Sequence, residues 1–294
     1  MSLYTFILRQ VFVRQTNKTN ANLKTPKDVV RDDDVRYGPI GGHHNRLDIY
    51  RPQKTNTPLP TIIIVHGGGY IFGHKEDYQY YGMALCRRGF TVVNFNYRLA
   101  PKHKFPAPLE DMNHVMQWIL KNAANYHIDL DKLFVVGDSA GAQIASQYLT
   151  LLTNPEYNQY FSFSIPKIEI KAVALNCGMY DLKHLHKTLK IKGVLNAYLP
   201  KQKDYDNPMF DVLGHINSSF PKTFVMSASH DYLKDHAKPF YTLLKENGVE
   251  ATCKIYENHD ASPLKHDFQL NVKNAMAHQC NDEQTAFFLK QIKT

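Results

Sequence analysis

From about residue 44 onward, short apolar runs alternate with stretches whose apolar residues recur every three or four positions. That alternation is the layout of a mostly parallel sheet covered by helices on both faces. Residues 47–50 form the first candidate strand. Residues 61–65 are almost wholly β-branched, as a strand buried on both faces should be, and they run into a string of glycines. Residues 91–97, 133–136, 170–175, 223–226 and 251–256 repeat the strand pattern. The clearest helix follows Pro108, where Met112, Val115, Met116, Ile119, Leu120 and Ala123 fall on one face. Pro108 suits a first helical turn, and Glu110 and Asp111 suit its positive end. Further helices are predicted over 142–152, over 235–247 with Gly248 as the stop, and over 282–292.

Two stretches stand outside the alternation. Residues 1–40 and about 182–215 are long excursions without clear strands, and such excursions in a compact domain usually carry function. Within the first, Tyr4, Leu8, Val11 and Phe12 are spaced as the apolar stripe of a helix that needs covering. Such a helix can cap a site, pack on the body of the domain or lie on a membrane surface, since Arg9 and Arg14 are basic. No internal repeat interrupts the chain, and its 294 residues are expected to form one domain.

Composition narrows the function classes. Apolar residues make up 43% and charged residues 21%, an ordinary globular balance. The net charge of +8 comes from scattered basic residues and short pairs such as Arg87-Arg88, so it reads as a solvated face with no nucleic-acid partner. Cys86, Cys177, Cys253 and Cys280 lack the spacing of a metal site and read as reduced thiols. The first fifteen residues have no basic leader, and Arg9 interrupts their apolar run, so neither a signal peptide nor membrane insertion is expected. A cytoplasmic location follows.

The candidate chemistry sits at the strand ends. After the strand 133–136 comes Gly137-Asp138-Ser139-Ala140-Gly141, and then a helical run. A serine on a sharp strand-to-helix turn projects its hydroxyl clear of the sheet, and small residues two before and two after it prevent collisions. Ser139 is therefore the candidate nucleophile. Directly after the strand 61–65 stands His66-Gly67-Gly68-Gly69-Tyr70, where backbone N–H groups can converge on a developing oxyanion. Neither phosphate-loop spacing is present. A serine needs a base and the base needs an orienting carboxylate. Asp231 follows the strand 223–226, with Asp235 one turn further on as its rival. His266 and His259 both follow the last candidate strand and compete as the base.

These motifs together resemble the α/β-hydrolase fold and, within it, the hormone-sensitive-lipase-like esterases. The matching residues are His66 to Gly69, Gly137 to Gly141, Leu47 to Pro52, Tyr97 to Pro101, Phe105 to Ala107, Asp111, Asp231 to Leu233 and His266 to Phe268, all in the family's order. In that family the histidine lies closer to the acid, so residues 258–265 read as a short insertion. The resemblance implies Ser139, His266 and Asp231 as nucleophile, base and orienter, and Gly68, Gly69 and Ala140 as the oxyanion hole. It also implies a helical cap made by about 1–40 and 182–215. Tyr70 and Phe72, with Tyr78, Tyr80 and Tyr81, are candidates to line the pocket, and core packing is the other reading of each.

The activity implied is hydrolysis of small carboxylic esters, of short to medium acyl chain, through an acyl-enzyme, with no cofactor or metal. Amidases and arylformamidases use the same triad, and a small-molecule receptor on this fold is the rival from another class. The partner expected is the ester substrate alone, and a homodimer is left open.

Overall fold

The computed structural model describes residues 3–182, 189–200, 206–258 and 262–292. Its centre is a sheet of β1 (Val29–Arg36), β2 (Arg46–Pro52), β3 (Leu59–Val65), β4 (Thr91–Phe95), β5 (Ile128–Asp138), β6 (Ala172–Asn176), β7 (Lys222–Ala228) and β8 (Ala251–Tyr256). The spatial order is β1-β2-β4-β3-β5-β6-β7-β8. β2 runs antiparallel to both neighbours, and the pairings from β4 onward are parallel. The helices are α1 (Leu3–Asn20), α2 (Lys75–Cys86), α3 (Ala107–Asn122), α4 (Ala140–Thr153), α5 (Pro155–Asn158), α6 (Leu189–Tyr198), α7 (Ala237–Glu246) and α8 (Ala275–Lys290).

The β-branched run of β3 explains why it lies at the centre. Ile63 and Val65 point into the apolar layer shared with α3, α4 and α7, whereas Ile62 and Ile64 point into the layer shared with α2 and α8. All four are fully buried, and each contributes roughly 1.5–3 kcal/mol relative to exposure. β5 does the same with Leu133 and Val135 on one face and Phe134 and Val136 on the other.

Three expectations are corrected. Residues 1–40 do contain a strand, β1, whose sequence VVRDDDVR carries no alternation to reveal it. It is an edge strand paired on one side, so its carboxylates stay exposed to water and also meet cations. Asp33 meets Arg31 at 2.9 Å, Asp32 meets Arg51, and Asp34 meets Lys75 at 2.9 Å. The Lys75 ammonium is buried and also bonds Asp48 and Glu76, each at 2.8 Å, tying β2 to the start of α2. Second, α2 was not legible as a helix; its Tyr78 and Tyr81 are both buried core residues, and of the two Tyr78 also reaches the wall of a cleft. Third, α8 begins at Ala275 rather than at residue 282, because the Asn274 side chain caps it by accepting from the Met276 and Ala277 N–H groups.

The four cysteines are unpaired; Cys86, Cys177 and Cys280 are buried and Cys253 is half-buried. Among the described residues, no helix is long and apolar enough to cross a membrane.

Candidate active site

β3 and β5 are neighbours, and Val65, the last residue of β3, pairs with Gly137, one residue before the end of β5. The two glycine-bearing motifs therefore leave the sheet side by side. At the end of β5, Ser139 has φ 53° and ψ −116°, a left-handed conformation that costs a non-glycine residue of order 1–3 kcal/mol. Its N–H is held by the Asn176 carbonyl at 2.8 Å. A Cβ on Gly137 would stand 2.6 Å from the Gly141 oxygen, and one on Gly141 would collide with the Val65 carbonyl oxygen. Gly141 is thus required by the close approach of the β3 end, and Gly137 by the tightness of the serine turn itself.

The glycine loop lies against this turn. A Cβ on Gly67 would sit 3.3 Å from the Ser139 Cβ, and Gly68, at φ 115°, has no room for one beside the Phe72 carbonyl. The Ile71 and Phe72 N–H groups both bond the Gly68 oxygen at 3.1 Å, and the Gly67 N–H donates to the Tyr78 hydroxyl at 2.8 Å. His66 is buried against Tyr97, with ring centroids 4.0 Å apart, and burial lowers its pKa to about 3, so its imidazole stays neutral. Gly69 follows at φ 55°. Ala140 opens α4, so its N–H is among the first-turn donors without an intrahelical partner.

Opposite the serine, β7 ends in the loop that carries Asp231. Its Oδ2 accepts from the Ser227 hydroxyl at 2.7 Å and its Oδ1 from the Leu233 N–H at 2.9 Å. His266 brings Nδ1 to 2.7 Å from Asp231 Oδ1 and Nε2 to 2.9 Å from Ser139 Oγ. A carboxylate only accepts, so Nδ1 carries the proton and the Nε2 lone pair faces the serine hydroxyl. Burial alone would raise the Asp231 pKa, but the hydrogen bond from His266, its charge and the donors from Leu233 and Ser227 hold it below the usual carboxylate value. Burial likewise would lower that of His266, yet Asp267, Asp231 and Asp138 raise it above the ordinary imidazole value.

Of the residues singled out in the sequence, Ser139, Asp231 and His266 come together in one chain of hydrogen bonds. Asp235 lies instead in the short turn before α7. His259 is outside the described residues. Tyr70, a candidate for the pocket wall, is fully buried in the core: its ring stacks on Tyr198 at 3.9 Å and its hydroxyl bonds Gln143 at 3.0 Å. No spacing announced Ser227 or Asn176, whose parts in the site depend on contacts between elements, and nothing in the stretch Asp231 to Leu233 announced that Tyr232 meets His266.

A cleft of about 1030 Å³ reaches this chain on the His266 side, with Phe12, Thr16, Tyr78, Tyr232 and Phe268 among its walls. Phe12 of α1 lies 4.5 Å from Phe72, and Val194 of α6 stands over Gly69, so both helices cover the glycine loop. Of the stripe Tyr4, Leu8, Val11 and Phe12, only the Phe12 side chain is among the described ones. Lys104 donates to the carbonyls of Ala197 and Leu199 at 2.8 and 2.9 Å, securing the C-terminal end of α6. A second hollow, of about 660 Å³ along α7 and Ile255, touches none of the three residues. Among the described residues, two clusters of His, Cys and acidic side chains bring their polar atoms close together: His43 with His74 and Glu76, and Cys177 with His266 and Asp267 at the histidine end of the triad itself.

Comparison with known proteins places this geometry. The family described as alpha/beta hydrolase fold matches residues 62–268. A putative alpha/beta hydrolase of Acanthamoeba polyphaga mimivirus is 26% identical over 68% of this chain and 60% of its own. An arylesterase of Saccharolobus solfataricus is 27% identical over 76% of this chain and 74% of its own. The crystal structure of esterase B from Lactobacillus rhamnosis superposes with a TM-score of 0.90 at 22% identity, covering 99% of this chain and 94% of that one. For three of the curated relatives the match spans only 60%, 65% and 53% of their length. With the family's pattern running through most of the sheet and through both glycine-bearing turns, this chain belongs to the α/β-hydrolase fold family.

Proposed function

We propose that the protein is a serine esterase that hydrolyses small carboxylic esters of short to medium acyl chain. The observation that carries this reading is the continuous chain from Ser139 Oγ through His266 to Asp231, with a backbone-strained serine at its head. Esterase names among the similar proteins support the ester class. Ser139 Oγ attacks the ester carbonyl while His266 Nε2 takes its proton, and Asp231 keeps the ring oriented and stabilises the imidazolium. The N–H groups of Gly68, Gly69 and Ala140 receive the oxyanion. His266 then returns the proton to the leaving alcohol oxygen. The ester C–O bond breaks as the alcohol leaves; water then attacks the acyl-serine with His266 taking its proton, the acyl–Oγ bond breaks, and the acid is released as His266 returns the proton to Ser139.

The reading extends to the covering helices: α1 and the 182–215 region act as a cap that shapes the substrate pocket. It also includes a reducing, cytoplasmic setting, in keeping with four unpaired cysteines, and the ester substrate as the one partner. The test is a panel of p-nitrophenyl esters of increasing acyl length, with one anilide and one formamide, alongside labelling by a fluorophosphonate. Ester turnover with label on Ser139 alone is expected. Preferential cleavage of the anilide or formamide would replace the ester reading with an amidase one, and label on another serine would remove the assignment of Ser139.

A further inference from the structure

His266 Nε2 has three neighbours, where the chemistry above uses one. Besides Ser139 Oγ at 2.9 Å, it faces Asp267 Oδ2 at 3.2 Å and the Tyr232 hydroxyl at 3.3 Å. Asp267 adopts φ 56°, in the region that glycine enters without cost and that most side chains avoid. Its N–H is directed at Cys177 Sγ at 3.5 Å, and its side chain is only 14% exposed, so water screens the carboxylate little.

We propose that Asp267 is a positioning residue that sets the basicity of His266 and thereby tunes the site to esters of acidic alcohols, such as phenols and enols. The inference rests on the reading of Ser139, His266 and Asp231 given above. When the serine proton moves to Nε2, the imidazolium stands between two carboxylates, Asp231 on Nδ1 and Asp267 beside Nε2. No bond is made to Asp267 and no proton is left on it at the end of the cycle. A ring so placed is a stronger base and a weaker acid. It takes the serine proton readily but yields it less readily to an alkoxide-like leaving group, which needs that proton most. A phenolate or enolate leaves without it.

The other titratable groups around the ring leave this role to Asp267. Asp138 comes last among the carboxylates that raise His266, and its own pKa is raised by burial with Asp267 adding to the rise. The Cys177 thiol and the Tyr232 phenol are likewise raised by burial and stay protonated. Lys18, Asp77, His230 and Lys265 share the cleft with His266 and supply charges of both signs. Burial pushes Asp267 itself up to about 6, against the pull of His266, so the acid limb of activity belongs to the His266–Asp267 pair.

The experiment compares the full chain with Asp267→Asn and Asp267→Gly, both of which tolerate the left-handed backbone. kcat/KM is followed against pH for the p-nitrophenyl and ethyl esters of one acid. In both variants the acid limb should move to lower pH, so that each keeps a roughly threefold larger fraction of its plateau at about pH 5.5. The preference for the aryl over the alkyl ester should fall by roughly threefold as well. Limbs that stay in place in both variants, or losses by one factor at every pH, would overturn the proposal. If the native chain cleaves neither ester, the triad reading fails separately. NMR titration of the His266 ring in native protein and Asp267→Asn then decides: a lowered midpoint supports the influence of Asp267 and an unmoved one overturns it.

Discussion

Ser139 and His266 meet at 2.9 Å, yet the turn that carries the serine and the loop that carries the histidine are built differently. The serine turn joins two buried elements, β5 and α4, and backbone crowding holds it: Gly137, Gly141 and Gly67 each lack room for a Cβ against neighbouring main chain. The histidine follows β8, an edge strand with half-exposed residues, and side-chain hydrogen bonds to Asp231 and Ser139 hold it. Steric exclusion fixes the first half of the site, and a few directional bonds fix the second. Damage to the glycines that hold the first should therefore appear as lost folding, and damage to the bonds that hold the second as lost turnover.

The largest effects expected are on turnover alone. Ser139→Ala and His266→Ala should each lower kcat by roughly 10⁴-fold or more while the unfolding midpoint in urea stays put. His259→Ala should leave most activity, and the reverse ranking of the two histidines would move the base assignment. Next in size is Gly141→Ala, which sets a methyl against the Val65 carbonyl. It should cost about 3 kcal/mol or more in equilibrium unfolding, and near-native stability would mean that β3 can give way. Smaller is Ser227→Ala, which removes one donor from Asp231 Oδ2. The expected loss is about 1–2 kcal/mol in kcat/KM, roughly tenfold, with little change in the urea midpoint. A pure stability loss there would erase the contrast between the halves. The smallest change in stability should follow deletion of residues 1–16, which removes Phe12 from the cleft wall. Lower kcat/KM and an altered ester-length preference are expected, whereas lost stability with unchanged preference would make α1 part of the body.

The same contrast governs how much could be read from the chain. β3 and β5 were legible because burial on both faces leaves uninterrupted apolar runs, and the glycines around Ser139 and after His66 are demanded locally. β1 was hidden because Asp32, Asp33 and Asp34 occupy consecutive positions, which an exposed sheet edge tolerates and cationic partners accompany. α2 was hidden because tyrosines supply its buried face, and Tyr78 is placed by a bond from Gly67 rather than by apolar period. The choice of Asp231 over Asp235 agrees with the observed hydrogen bond to His266. No pattern along the chain could show that Tyr198 stacks on Tyr70 and that the Tyr70 ring is fully buried.

The four thiols bear on how the protein behaves at the bench. Burial is the leading cause that raises each of them, with Cys86 pushed up to about 12 and Cys177, beside the histidine, well above its ordinary value. Alkylating reagents consume thiolate, and at neutral pH this protein offers almost none. Two cysteines introduced at exposed positions, one on α1 and one at the edge of the sheet, would therefore be the ones that take a dye or spin label, and the distance between them becomes accessible without first removing the native four.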